Sequence, residues 1–442
     1  MKKQLPKNWV ETNLFDIANV ITGRKDANHS TEDGEYTFFT CAFEPLLSPD
    51  YDFDDEVLIL PGNGANVGHV FYFKGKFQAY QRTYIIENIK INPKYLYYHL
   101  LSFWRIRNEN EQFGTATNYI KIGNFKSYSV DIPPLPEQNR IVTKLDALFA
   151  QLETIKTSMA NVPLLLKDFR QQVLTQAVTG KLTNCKVEEK RLGDLLTDVK
   201  YGTSMKSEYD IDGTPIFRIP NINDGKINDT DLKYSKLDEK EYNQLKLVEG
   251  DVLIIRSNGS VSLVGRSAII RKKHEGYSYA GYLIRLRCGQ DLNSEFLNYT
   301  LKSDFLRTQI VNTSHSSSGV NNINSQEIKD LKIYWTNPKE QQEIVTRVES
   351  LLAQADAIEK QYESLKAKID NLPQALLHKA FKGELTEQLE SDGDARELLK
   401  EIEMLRKAQH DKGKKSGKVV KGYEVTDAVL GMVAEGRESY GK

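Results

Sequence analysis

One segment of this chain occurs twice, and that duplication limits the fold more than any other feature. Glu137-Gln138 recurs as Glu340-Gln341, an offset of 203 residues (340 less 137). At the same offset Ile141-Val142-Thr143 returns as Ile344-Val345-Thr346. Leu148, Ala150 and Gln151 return as Leu351, Ala353 and Gln354, and Gly180, Leu182 and Thr183 as Gly383, Leu385 and Thr386. Residues 137–183 and 340–386 share 15 identities in 47 ungapped positions, where chance gives about three. Upstream the likeness continues with smaller offsets. Asn118 and Ile120 match Asn321 and Ile323. Val57-Leu58-Ile59 followed by Asn63-Gly64 matches Val252-Leu253-Ile254 followed by Asn258-Gly259, and Leu14 and Asp16 match Leu192 and Asp194. The order is domain, helix, domain, helix. A duplicated scaffold with no shared task would leave the same trace.

The repeated segments carry a heptad pattern. Ile141, Leu145, Leu148, Leu152, Ile155, Met159, Val162, Leu166, Phe169 and Val173 alternate steps of four and three, the spacing of a coiled-coil seam. The second copy keeps that register through Ile344, Val348, Leu351, Ala355, Ile358, Tyr362, Leu365, Ile369, Leu372 and Leu376. Pro136 with Glu137, and Pro338 with Glu340, mark first turns, and Gly180 and Gly383 stand where a left-handed cap ends a helix. Pro163 and Pro373 fall inside the patterns and should kink or break them. Helix 1 leads into domain 2 and helix 2 starts after it, so connectivity predicts an intramolecular antiparallel pair with pseudo-twofold symmetry and a domain at each end. From Ile141 to Val173 such a rod spans roughly 48 Å, or about 14 base pairs of duplex. A dimerisation coil between chains is the other use of such a seam.

The rest reads as two β-rich domains, giving an α+β chain with mixed α/β domains at 1–135 and 184–336. The long helices occupy 136–183 and 337–386, and 387–442 forms a C-terminal extension. Strand-like runs lie at 56–60, 83–86, 251–255 and 283–286, separated by turn signals, with short helices expected at 95–101 and 294–301. The first strong strand of each domain runs into a polar, glycine-bearing loop: Pro61-Gly62-Asn63-Gly64-Ala65-Asn66 in domain 1 and Arg256-Ser257-Asn258-Gly259-Ser260 in domain 2. Such loops suit DNA, because arginine can grip guanine with two bonds and asparagine adenine, while small residues leave room for phosphate. An ordinary hairpin turn has the same composition. A second polar group precedes each long helix: Thr115, Thr117, Asn118 and Lys121, then Ser314 to Ser318, with Ser316 among them, followed by Asn321 and Asn322. Gln78, Tyr80, Gln81 and Arg82, loosely matched by Tyr277, Tyr279 and Tyr282, are further candidates, as are Arg218, Asn221 and Arg266. The copies agree in apolar framework and differ in these loops, as a reader of two different half-sites would.

Several classes of function find no motif. There is no phosphate-binding Gly-Lys-Ser/Thr loop. Asp131-Ile132-Pro133-Pro134 lacks the surroundings of an amino-methyltransferase motif, and Glu188-Glu189-Lys190 lacks the partner aspartate of a nuclease. His274-Glu275 lacks a zincin's second histidine, and Cys41, Cys185 and Cys288 are too far apart for a zinc site or disulfide framework. No cofactor or metal is therefore expected in this chain. Net charge is −1, so any basic surface must be local. No apolar run is long enough for a membrane span and no signal peptide is evident, so a cytoplasmic location is expected.

The run from Pro134 through Val142, with its helix and the closing Gly180-Lys181-Leu182-Thr183, resembles the first conserved region of type I restriction–modification specificity subunits. Residues 340–345 through Gly383-Glu384-Leu385-Thr386 resemble the second, and 250–256 resembles a common segment of their target recognition domains. The likeness spans about residues 5–400. It implies a non-catalytic subunit with two target recognition domains, each reading half of a split site on double-stranded DNA. It also implies docking of two methyltransferase subunits and of restriction–translocase subunits, with S-adenosylmethionine, ATP and Mg belonging to those partners. The tail beyond Thr386 departs from the pattern. Acidic at first, it should form a short helix near 395–407, then turn basic at Lys412, Lys414, Lys415, Lys418 and Lys421. It reads as a flexible or partner-binding extension. A coiled-coil interaction scaffold without DNA readout is the competing function.

Overall fold

The computed structural model describes residues 5–108, 118–223, 225–317 and 320–416. The chain forms two compact units: 1–157 together with 366–442, and 158–365. Each unit holds one β-rich domain, the start of one long helix and the end of the other. Among the described residues no helix is long and apolar enough to cross a membrane.

In the first unit a six-stranded sheet has the order Asn19–Thr22, Thr83–Glu87, Phe53–Pro61, Phe71–Ala79, Tyr36–Phe39, Leu46–Ser48. Strand Val10–Asn13 pairs with Ser129–Ile132, and the latter delivers the chain into the long helix Leu135–Met159. Over residues 57–61 the central Phe53–Pro61 strand is buried on both faces. Leu58 and Leu60 join a core with helix Pro93–Asn108, whereas Val57 and Ile59 point into an aromatic cluster with Phe39 and Phe77. The second unit repeats the plan. Its sheet runs Leu196–Tyr201, Leu283–Cys288, Val252–Ile255, Ser267–Ile269, and Glu188–Arg191 pairs with Lys332–Trp335 before helix Pro338–Ala380. Val252 and Ile254 face helix Ser294–Lys302, and Leu253 and Ile255 face Phe217 and Tyr279.

These facings correct the sequence alignment of the two copies. Leu58, not Val57, takes the place of Val252. A strand alternates faces at every residue, so a slip of one position exchanges core for opposite core. Both faces of these strands are apolar, and the sequence carried no alternation to reveal the slip.

The duplicated Glu-Gln pair proves to be a structural clamp. Gln138 and Gln341 are fully buried. Gln138 Nε2 donates to Pro133 O (2.8 Å) and its Oε1 accepts from Asn92 N (3.0 Å). Gln341 Nε2 donates to Thr336 O (2.6 Å) and Asp291 O (2.9 Å), and its Oε1 accepts from Asn293 N (2.7 Å). Asn92 and Asn293 in turn cap the short helices through Oδ1. Each glutamine thus ties the first turn of a long helix to the cap of the short one.

The long helices differ. The first ends at Met159 and a new helix, Val162–Val178, begins with Pro163 in its first turn, where its missing N–H costs nothing. Pro373, by contrast, lies within the continuous helix Pro338–Ala380. Ile141, Leu145, Leu152, Leu166, Ile344 and Val348 are buried, Leu148 and Leu351 pack against the cores, and Ile369 is half-buried. Ile155, Ile358 and Leu365 are 44%, 50% and 50% exposed, so the expected seam does not close at those positions. Leu166 and Val173, beyond the interruption at 160–161, are buried, so the stripe loses cover near that break and not along its whole length.

The extension past Thr386 is also not simply solvated. Helix Ala395–Ser416 places Ala395 and Ile402 in the core of the first unit, and Ala395 N donates to Asn8 O (3.1 Å). Arg140 forms a two-pronged pair with the nearly buried Asp392 (2.7 and 2.6 Å). The side chains of Lys412, Lys414 and Lys415, and all of Lys418 and Lys421, lie outside the described residues.

Candidate nucleic-acid interface

Four loop segments meet at one edge of each domain, held by matching backbone hydrogen bonds. In domain 1, Gly62 N donates to Arg82 O (2.9 Å), Ile120 N to Gly62 O (3.0 Å) and Gly23 N to Thr83 O (3.0 Å). In domain 2, Arg256 N donates to Tyr282 O (3.0 Å), Ile323 N to Arg256 O (2.9 Å) and Gly202 N to Leu283 O (3.3 Å). Gly23 and Gly202 permit a close approach, since a Cβ on either would lie 2.3 or 2.2 Å from the carbonyl oxygen of Ala79 or Tyr279. The polar loop after the central strand and the polar group before the long helix, far apart in sequence, therefore lie side by side. Asn63 bridges to Tyr119, and strand Ser257–Asn258 pairs with Val320–Asn322.

The framework matches and the side chains do not. Where domain 2 carries Arg256, domain 1 has Gly62; where domain 1 carries Arg82, domain 2 has Tyr282. Arg82, Gln81 and Asn118 are exposed and Asn63 and Tyr80 half-buried. Gln81 Nε2 donates to Asp26 (2.9 Å), and Asn66 Nδ2 to Cys41 O (2.9 Å). In domain 2, Ser257, Asn258, Asn321 and Asn322 are half-buried and Ser260 and Arg266 exposed. Asn258 Oδ1 accepts from Ser260 N (2.8 Å), Asn321 Nδ2 donates to Gly259 O (3.1 Å), and Arg266 Nε to Ser262 O (3.2 Å). Neighbouring Arg307 donates to Val264 O (2.6 Å), and burial, then Arg266, lowers its pKa.

Four expected contacts belong to the scaffold instead. Gln78 is buried and donates to Asp50 (3.0 Å); His29, Gln78 and Lys25 together hold that carboxyl well below the usual range. Tyr279 is buried with its hydroxyl on Lys200 O (3.1 Å), and burial pushes its pKa up. Asn221 is buried and bonds Arg218 N, Asn228 O and Asp231 O, and Arg218 pairs with Asp231 (3.0 Å). Gln78, Tyr279 and Asn221 sit inside the domain, where unmet polar groups are costly, and half-buried Arg218 is engaged by Asp231, so residue type alone did not separate reader from brace. Thr117 lies outside the described residues, as does the side chain of Ser316.

Sequence reasoning passed over two aromatic residues at this edge, Tyr119 and Tyr201, 37% and 36% exposed, while the candidate Tyr282 is 63% exposed. Tyr201 and Tyr282 each adjoin a glycine of the repeated turn framework, and that adjacency was the available signal.

Residues 6–163 and 184–367 match the family described as "Type I restriction modification DNA specificity domain". The EcoKI specificity subunit of Escherichia coli K12 is 35% identical over 329 residues, 70% of this chain and 71% of its own length. The EcoDI specificity subunit of Escherichia coli is 30% identical over 445 residues, covering 92% and 98%. In fold the chain is similar to the HsdS subunit of Thermoanaerobacter tengcongensis, with a TM-score of 0.61 at 19% identity over 87% of this chain and 99% of that one.

Proposed function

Because this chain belongs to the type I restriction–modification DNA specificity family, as a subunit that supplies sequence selectivity rather than catalysis, we propose that it reads a two-part target on double-stranded DNA, one β-rich domain to each half. The domains at 1–135 and 184–336 act as the two readers, and the helical stretches at 136–183 and 337–386 set the spacing between half-sites. The observation that carries this reading is the loop edge: the same backbone bonds recur in both domains while the side chains they present differ. A common backbone frame that presents different side chains is what two readers of different half-sites require.

The helices pair antiparallel with pseudo-twofold symmetry. Within the second unit, Arg170 pairs with Asp356 and Glu359, whereas residues further along the same helix, Val173 and Ala177, join the core with Ile344 and Val348. Two methyltransferase subunits and the restriction–translocase subunits dock on this chain, bringing S-adenosylmethionine, ATP and Mg, and the complex works in the cytoplasm. Exchanging residues 184–336 for those of a variant, followed by methylome sequencing, tests the reading. One half of the methylated motif should change and the other stay. If neither changes, the chain serves as a scaffold and the proposal is wrong.

A further inference from the structure

Arg256 is held in a way that the other arginines of its domain are not. Its guanidinium lies 4.7 Å from the centre of the Tyr201 ring, and its Nε donates to Asn322 Oδ1 (3.2 Å). Tyr201 is itself fixed at both ends: it closes strand Leu196–Tyr201, and its hydroxyl accepts from Ser325 N (2.8 Å). Asn322 is fixed by pairing with Ser257. Among the described residues, no hydrogen-bond or ion-pair partner falls to either terminal nitrogen of Arg256. Arg218, Arg285, Arg287 and Arg307 all direct terminal nitrogens at carboxylates or carbonyls. Arg266 is bonded through Nε to Ser262 O, but among the described residues no aromatic ring lies against its guanidinium, so the stacking on Tyr201 is what sets Arg256 apart.

We infer that Tyr201 and Asn322 are positioning residues that hold Arg256 as a preoriented fork for two coplanar acceptors, the O6 and N7 of a guanine in the half-site read by domain 2. A guanidinium stacked on one face and bonded through Nε keeps the four N–H groups of its two terminal nitrogens, and the outward pair, one from each nitrogen, is parallel and in one plane, which is the geometry that guanine's major-groove edge accepts. Stacking also removes the rotamer freedom that a free arginine loses on binding. The equivalent backbone position in domain 1 is Gly62, so this fork belongs to one head only. Two oxygens of a DNA phosphate offer similar chemistry, and the test separates them.

The inference rests on the two-reader proposal. The test uses the full chain assembled with its methyltransferase partners, after domain exchange has assigned the half-sites. Each guanine of domain 2's half is replaced singly by 7-deazaguanine, which lacks the N7 acceptor. Wild type should lose roughly 10- to 100-fold in affinity at one guanine. Arg256→Lys, Tyr201→Leu and Asn322→Ala should each weaken binding to the unmodified duplex and become indifferent to that replacement. Tyr201→Phe, which keeps the ring, should retain the dependence. The fork is overturned if the half-site contains no sensitive guanine, or if Tyr201→Leu and Asn322→Ala both keep full sensitivity. A uniform loss by Arg256→Lys on every duplex would make the contact a phosphate and overturn it too. In all these cases the two-reader proposal survives, because only an unchanged motif after domain exchange removes that.

Discussion

Gln138 and Gln341 show how a short polar match can be the most visible part of a sequence and yet act within the fold. Both are buried, and each uses donor and acceptor ends on the backbone of a neighbouring segment. Replacing Gln341 with alanine leaves Asn293 N and two carbonyls short of partners inside the domain. We expect the second domain to lose about 2–4 kcal/mol, read by urea denaturation. Gln341→Glu should recover little, because a carboxylate can accept but not donate; full recovery would mean that the donor bonds contribute nothing. Glu137 carries the complementary case. Burial, the largest influence, raises its pKa above 4.5, and Trp9 Nε1 donates to it (3.0 Å). A raised pKa contributes stability that is present below 4.5 and fades as pH climbs through the folded value. Glu137→Gln keeps an oxygen for Trp9 and should flatten stability against pH above 4.5; parallel pH profiles for the two proteins would rule this out.

The elements tell how far local rules carried. Gly383 ends its helix in a Schellman motif: Glu384 N donates to Lys379 O (2.9 Å), Gly383 N to Ala380 O (3.1 Å), and φ at Gly383 is 72°. Gly180 has φ 73°, and a Cβ there would meet Cys185 O at 2.5 Å. Gly180→Ala should therefore lower the thermal midpoint, costing at least about 1–2 kcal/mol; an unchanged midpoint would mean that the turn relaxes freely. Pro373 is the contrary case. Its helix runs on through it because Leu377, Ala380 and Phe381 beyond it are buried in the first unit's core. That packing outweighs an interior proline's cost of about 3 kcal/mol, so Pro373→Ala should stabilise the first unit by about 1–3 kcal/mol, seen as a higher melting temperature. No gain would show that the helix is already relaxed there. Period, caps and turns were legible because they depend on neighbours three or four residues away. The strand alignment was not, because both faces are apolar over residues 57–61 and in Val252–Ile255.

At the scale of the whole chain, the C-terminal extension belongs to the first unit. Removing residues 390–442 takes away Asp392, Ala395 and Ile402, and should destabilise that unit by at least about 2 kcal/mol while leaving hydrogen exchange in 184–336 unchanged. Equal protection in both proteins would mark the extension as an appendage. The sequence by itself determined the duplication, the helical period, the helix ends and the family, because each is written in residue spacing along one strand of chain. It also marked the two polar loops beside Asn63 and Arg256. Only the tertiary structure decided that those loops meet the segments at Asn118 and Asn321, that Gln78, Asn221 and Tyr279 face inward, and that Tyr201 lies under Arg256. The physical reason is that a side chain's task depends on what surrounds it. Residues more than fifty positions apart, as Asn63 is from Asn118 and Tyr201 from Arg256, become neighbours only when sheets close and polar groups find partners.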